Sequence, residues 1–276
     1  MSLNSVNTNT GALIALQNLN STSQQLTTTQ NRISTGLKVA SATDNGATWA
    51  IAQNQRSTIS ALDAVKDSLN RGQSVVDVAV SAGTTVSDLL SQMKSKALAA
   101  TAADLDTTSR TALNEDFKSL RDQIAKVVAN ADFNGANMIS STGTAVKALA
   151  NASGTSTLTV QAQDMSLSGS IVTLSSTASF NTATTAATQL SAVNASLTNV
   201  TSAVAKLGTG SNALQTHLNF ISSLQDTMTT GVGNLVDADV AKESATLQAL
   251  QTKQQLGVQA LSIANSRTSV LLSLFR

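Results

Sequence analysis

Residues 190–228 read LSAVNASLTNVTSAVAKLGTGSNALQTHLNFISSLQDTM. Apolar side chains recur at Leu190, Val193, Leu197, Val200, Val204, Leu207, Leu214, Leu218, Ile221 and Met228, while Ser211 and Gln225 fill the two remaining places. Alternating steps of three and four residues mark a coiled-coil seam. At ~1.5 Å per residue the helix is ~58 Å long, well beyond the average helix of a globular domain. Gly208 and Gly210 are expected to loosen its middle without ending it.

A matching seam lies upstream in Leu62, Val65, Leu69, Gly72, Val76, Ala79, Gly83, Val86, Leu90, Met93 and Ala97. Its glycines predict close approach of a partner helix. A shorter helix carries Leu113, Phe117, Leu120, Ile124 and Val127, and Asp132-Phe133-Asn134-Gly135 then reads as a tight turn. Three helices with compatible seams predict a mainly α fold, a long antiparallel bundle or coiled coil. Residues 141–184 differ in kind. They hold one Lys and one Asp, Lys147 and Asp164, alternate apolar and polar residues in 158–162, and carry another β-like run in 170–174. One or two small β-hairpins at the distal end of the bundle are expected there.

The two ends decide the class of function. Residues 1–31 carry no charged side chain, and residues 244–276 carry only Lys253, Arg267 and Arg276. Leu19, Leu26 and Ile33 stand seven apart, with Leu16 flanking them. Near the other end Leu247, Leu250, Gly257, Leu261, Ala264 and Leu271 form one stripe. Leu256, Ala260, Ile263, Val270 and Leu274 form a second, on another face. A helix apolar on two faces is buried on two sides. Such tails are expected to order only on assembly and to bury against copies of the same chain. The polymerisation core is therefore assigned to Leu16, Leu19, Leu26, Ile33, Leu247, Leu250, Leu256, Leu261, Ile263, Val270, Leu271 and Leu274.

Composition narrows the alternatives. The net charge of +1 offers nucleic acid or anionic membrane no electrostatic attraction. No run approaches the ~20 apolar residues of a membrane span. Cysteine and proline are both absent, which removes disulfides and thiolate metal sites and suits unbroken helices. The first residues lack the basic and apolar regions of a cleaved signal peptide. His217, the only histidine, has no nucleophile or second ligand in motif spacing and reads as a seam-flanking residue. Gly208-Thr209-Gly210 lacks the Lys of a phosphate loop. Neither an active site, a metal nor a cofactor is expected.

The motifs at the two ends resemble those of bacterial flagellins, in the short alphaproteobacterial form. The N-terminal match is Asn31-Arg32-Ile33-Ser34-Thr35-Gly36-Leu37-Lys38-Val39, continued by 41–47 and Ala50-Ile51-Ala52. Phe133-Asn134-Gly135 with Met138-Ile139 is similar to the family's turn after its third helix. At the other end lie Glu243 to Leu250, Gln254-Gln255-Leu256-Gly257, Ile263-Ala264-Asn265 and the closing 271–276. Two departures stand out: Asn45-Gly46 where a second acidic residue is common, and Trp49 where a small aliphatic one is.

The resemblance implies tail helices at 1–40 and 236–276 forming an inner filament core. It implies bundle segments at 41–140 and 185–235, and a reduced outer segment at 141–184. It also implies an open helical homo-oligomer, extracellular and exported without a cleaved signal. The implied partners are the flagellar export apparatus, an export chaperone, and cap and junction proteins. Arg32, Gly36 and Asp44 are assigned to the tail-to-bundle junction. Gly36 breaks the helix, Arg32 binds a carboxylate or carbonyl of a neighbour, and Asp44 caps the helix after Asn45. The family patch read by an innate-immune receptor falls at 90–96, which lacks the Arg and Glu residues, so weak recognition is expected. Two alternatives are a hook–filament junction protein and a non-polymerising helical signalling or adhesin module.

Overall fold

A computed structural model describes residues 8–273, with side chains through residue 266. Its elements are α1 (Thr10–Thr35), α2 (Gly46–Ala100), α3 (Thr107–Asn130), β1 (Val146–Leu149), β2 (Thr157–Val160), α4 (Ala183–Val236) and α5 (Val240–Ser273). The chain divides into two units: Met1–Ser57 with Thr227–Arg276, and Thr58–Asp226.

Helix boundaries follow from side chains that satisfy the free N–H groups of first turns. Asn9 accepts from Ala12 N at 3.0 Å, Asn45 from Thr48 N at 3.1 Å and Asp106 from Ser109 N at 2.6 Å. Thr182 and Thr185 each accept the other's backbone N–H ahead of α4. Asp239 Oδ1 accepts from Ala241 N and Lys242 N at the start of α5. At the other end of α2, the Arg110 guanidinium donates to the carbonyls of Ala100 and Ala102.

In the unit Thr58–Asp226, every seam residue of α2 from Leu62 to Ala97 is buried. On α4 the two interleaved sets separate. Val193, Val200, Leu207, Leu214 and Ile221, seven apart, are buried, whereas Leu190, Leu197, Val204 and Leu218 are half-buried. Phe117, Ile124 and Val128 of α3 complete the core, and the Phe117 and Phe180 rings meet edge-on with centroids 5.2 Å apart. The two polar seam residues of α4 are spoken for. Ser211 accepts from Gln73 Nε2 at 2.7 Å and donates to Asp77 at 2.9 Å, while Gln225 donates to Asp63 at 2.7 Å. Both layers obey one register, 14 residues apart on each helix, so together they oppose slippage of the seam.

Helix α4 runs unbroken through Gly208 and Gly210, so the expected loosening does not occur. A Cβ on Gly210 would lie 2.5 Å from Val160 Cγ1; the missing side chain is what seats strand β2. At Gly72 the close neighbours are Val146 and Ala148 of β1, with Leu214 of α4 at 3.9 Å, while at Gly83 the partner helix comes close, Val204 of α4 standing 2.8 Å from where a Cβ would lie. The strands pair antiparallel, Val146 with Val160 through Leu149 with Thr157. The second β-like run, 170–174, is irregular. Val172 and Leu174 are drawn into the core, and Ile171 spends its carbonyl on Asn199 Nδ2.

Candidate assembly surface

The unit formed by both ends of the chain is built on an antiparallel pair, α1 against α5. Asn9 Nδ2 donates to Ala264 O at 2.7 Å, Leu19 Cδ1 lies 3.3 Å from where a Gly257 Cβ would stand, and Arg32 meets Glu243 at 3.2 Å. These three contacts mark the top, middle and bottom of the pair. Leu19, Leu26 and Ile33 of α1 are half-buried, as are Leu247, Leu261, Gly257 and Ala264 of α5, and Leu250 is buried. The first stripe of α5 thus finds its partner within the chain. The stripes on α1 and α5 match in spacing, and the two helices pair along them.

The second stripe finds none. Leu256 is 59% exposed and Ile263 66%, and on α1 Leu16 is 43% exposed. Leu13, Ile14 and Val258 are exposed beside them. The side chains of Val270 and Leu271, and all of Leu274, lie outside the described residues. Sequence reading passed over Leu13 and Ile14 because they fall outside the seven-residue spacing of Leu19, Leu26 and Ile33.

The junction residues are brought together by two helix breaks. Gly36, at φ 71°, ends α1 in the left-handed region that glycine enters without strain. Lys38 N and Val39 N donate to Val236 O, and Ala238 N donates to Gly36 O, so the break after α1 is tied to the break after α4. Arg32 binds a carboxylate of its own chain, Glu243. Asp44 does not cap α2; Asn45 does. Asp44 instead folds the preceding turn, accepting from Ala40 N, Ser41 N and Ser41 Oγ. Its carboxyl is held below the usual value, chiefly by the Ser41 amide and hydroxyl, with Arg32 as a minor charge. An asparagine replaces Asp44 as the cap because its amide oxygen sits one residue closer to the free N–H of Thr48.

No cluster of three or more metal-ligating side chains occurs among the described residues, and none of their helices is long and apolar enough to cross a membrane. His217 packs by the seam, its Nε2 2.9 Å from Ala150 O.

The bacterial flagellin N-terminal helical region matches residues 6–144, and the bacterial flagellin C-terminal helical region matches residues 190–275. Flagellin FljM of Caulobacter vibrioides is 57% identical over 276 residues, covering 100% of both chains. The flagellin of Brucella melitensis is 38% identical over 281 residues, covering 99% of both. A solved chain from Vibrio parahaemolyticus, described as a flagellar hook-associated protein, covers 70% of this chain at TM-score 0.59 and 15% identity. At that identity it speaks for the fold alone.

Proposed function

This chain belongs to the bacterial flagellin family, and from that premise we propose how it builds its polymer. It is a structural subunit of the flagellar filament, a passive fibre for motility. Full-length identity of 57% to a flagellin favours the filament over the junction protein. An isolated signalling or adhesin module has no use for tails apolar on two faces.

In our reading the surface that drives polymerisation is the uncovered stripe Leu256, Ala260 and Ile263 with Leu13, Ile14 and Leu16. The observation carrying it is that α5 satisfies one apolar stripe inside the chain and leaves the other in solvent. Burying a large aliphatic side chain contributes roughly 1.5–3 kcal/mol, so a few such residues per interface are decisive. The contact is heterologous: α5 of one copy meets a different surface of the next, and contacts of that kind continue into an open helix. Val270, Leu271 and Leu274 extend the same stripes. The inner core is accordingly made of 1–40 and 236–276, with 41–140 and 185–235 as the bundle and 141–184 outermost. Its partners in this reading are the export apparatus, chaperone, cap and junction proteins. The chain carries out no catalysis.

Seeded growth tests this reading. Purified monomer is mixed with short filament fragments at neutral pH and viewed by negative-stain electron microscopy. Long filaments from the full chain, and none after deletion of residues 1–35, are expected. A full chain that stays monomeric on competent seeds would sink it.

A further inference from the structure

We propose that Asn134 modifies itself: the Gly135 amide nitrogen closes on the Asn134 side chain, ammonia leaves, and water converts the residue to an aspartate. The new charge then fastens the turn after α3 to α2 and β1. The proposal stands apart from the filament reading and survives or fails without it.

The sequence offers two sites for this reaction. Asn-Gly occurs at 45–46 and again at 134–135. Glycine carries no side chain to obstruct its own nitrogen, so this dipeptide cyclises more readily than other pairs that begin with Asn. At both sites the two residues are exposed, and nothing lies within 4 Å of where a glycine Cβ would stand. Steric access therefore does not distinguish them. Hydrogen bonding does.

Asn45 is committed to a helix. Its Oδ1 accepts from Thr48 N at 3.1 Å, its carbonyl accepts from Trp49 N at 2.9 Å, and Gly46 is the first residue of α2. Cyclisation there sacrifices the cap and unwinds the first turn. Asn134 has no such duty. Phe133 and Ala136 exchange both backbone bonds at 3.0 Å, which leaves Asn134 and Gly135 at the tip of a two-residue turn with φ of 53° and 80°. Among the described residues no hydrogen bond holds the Asn134 side-chain amide, so it is free to swing toward the nitrogen.

The turn also supplies a base. Gly135 N donates to Asp132 Oδ1 at 3.0 Å, so the attacking nitrogen already shares its proton with a carboxylate. As that nitrogen bonds to Asn134 Cγ, its proton passes to Asp132. Asp132 returns the proton to the departing amide nitrogen, the Cγ–Nδ2 bond breaks, and ammonia leaves behind a succinimide ring. Water then opens the ring. Cleavage of the newly formed N–Cγ bond gives aspartate, and cleavage of the original peptide bond gives isoaspartate. By either route one amide and one water become one carboxylate and one ammonium, with no change of oxidation state.

The surroundings favour the product. Asn134 lines a hollow of ≈ 210 Å³ whose charged residues are Arg71 of α2 and Lys147 of β1. Neither cation is ion-paired among the described residues. A carboxylate at 134 stands among two cations and one like charge, Asp132, so the balance of Coulomb terms is attractive.

Samples of the folded chain, taken during incubation in warm neutral buffer, are digested and the gain of about one dalton at each site is followed by mass spectrometry. Reaction at Asn134 at least tenfold faster than at Asn45 is expected, with comparable rates in urea, where only local sequence remains. Equal or reversed rates in the folded chain overturn the proposal, as does the same tenfold difference in urea. Asp132→Asn separates the base from a merely structural role. Loss of the base is expected to slow Asn134 at least fivefold and to leave Asn45 unchanged, whereas a turn that is only loosened reacts faster, which counts against the base. For the product, Asn134→Asp is expected to raise the urea midpoint in low salt, and adding Arg71→Gln to remove that gain. A midpoint at or below that of the parent chain overturns the fastening of the turn.

Discussion

Arg32 and Glu243, 211 positions apart, meet at 3.2 Å and close the base of the α1–α5 pair. The bond stands one turn from the Gly36 break and beside the start of α5. It thus ties the only charge in the first 37 residues to the first acidic residue of the last helix.

This pair is only partly shielded from water, so its direct energy is small. Arg32→Ala, Glu243→Ala and the double variant, compared by urea unfolding, are expected to give a coupling of about 0.5–1 kcal/mol. The coupling should shrink in high salt. Additive single effects would show that the two residues act separately.

Gly208 and Gly210, two residues apart on α4, should respond oppositely to alanine. At Gly210 the added Cβ would lie 2.5 Å from Val160 Cγ1, and at Gly208 nothing lies within 4 Å. Gly210→Ala is expected to destabilise by about 1–3 kcal/mol through overpacking. Gly208→Ala is expected to stabilise by up to about 1 kcal/mol through helix propensity. Urea midpoints of the two variants check both signs.

Ile263 and Leu250 lie on different stripes of α5 and should separate assembly from folding. Ile263→Ser is expected to leave monomer stability within about 0.5 kcal/mol and to abolish seeded growth. Leu250→Ser, at a buried position, is expected to cost about 2–4 kcal/mol in the monomer as well. Equal growth by Ile263→Ser and the parent chain would place the polymerisation surface elsewhere.

Asp44 supplies an acid-sensitive turn at the junction. Its carboxyl titrates below the ordinary 3.8, because the Ser41 amide and hydroxyl bond the ionised form. For a depressed carboxyl, the contribution to stability is complete above the ordinary value and is lost as pH falls through the lower, folded value. Trp49, the only tryptophan, lies five residues away and serves as the probe. Its fluorescence is expected to change in acid below about pH 4, and Asp44→Asn is expected to flatten that change.

Much of this architecture is legible in local pattern. Seven-residue spacing marks every buried seam residue from Leu62 to Ala97, because a helix that buries a stripe must repeat it. Asp132 to Gly135 is readable as a turn because Asn134 and Gly135 tolerate the positive φ values of 53° and 80° that it needs. Residues 170–174 mislead for the converse reason: β-favouring residues form a strand only if a neighbouring strand is available, and Asn199 takes the carbonyl of Ile171 instead.

What the sequence by itself determined is the repertoire: long proline-free helices, a paired seam, uncharged tails and two apolar stripes on α5. Which stripe stays inside and which is left for a neighbour was decided only in three dimensions. Spacing along one helix fixes which residues share a face, but not which face another helix will cover. The same holds for Arg32 with Glu243 and for Gly210 under Val160. Each contact joins residues distant in sequence, and the packing of whole helices and strands brings them within bonding or van der Waals range.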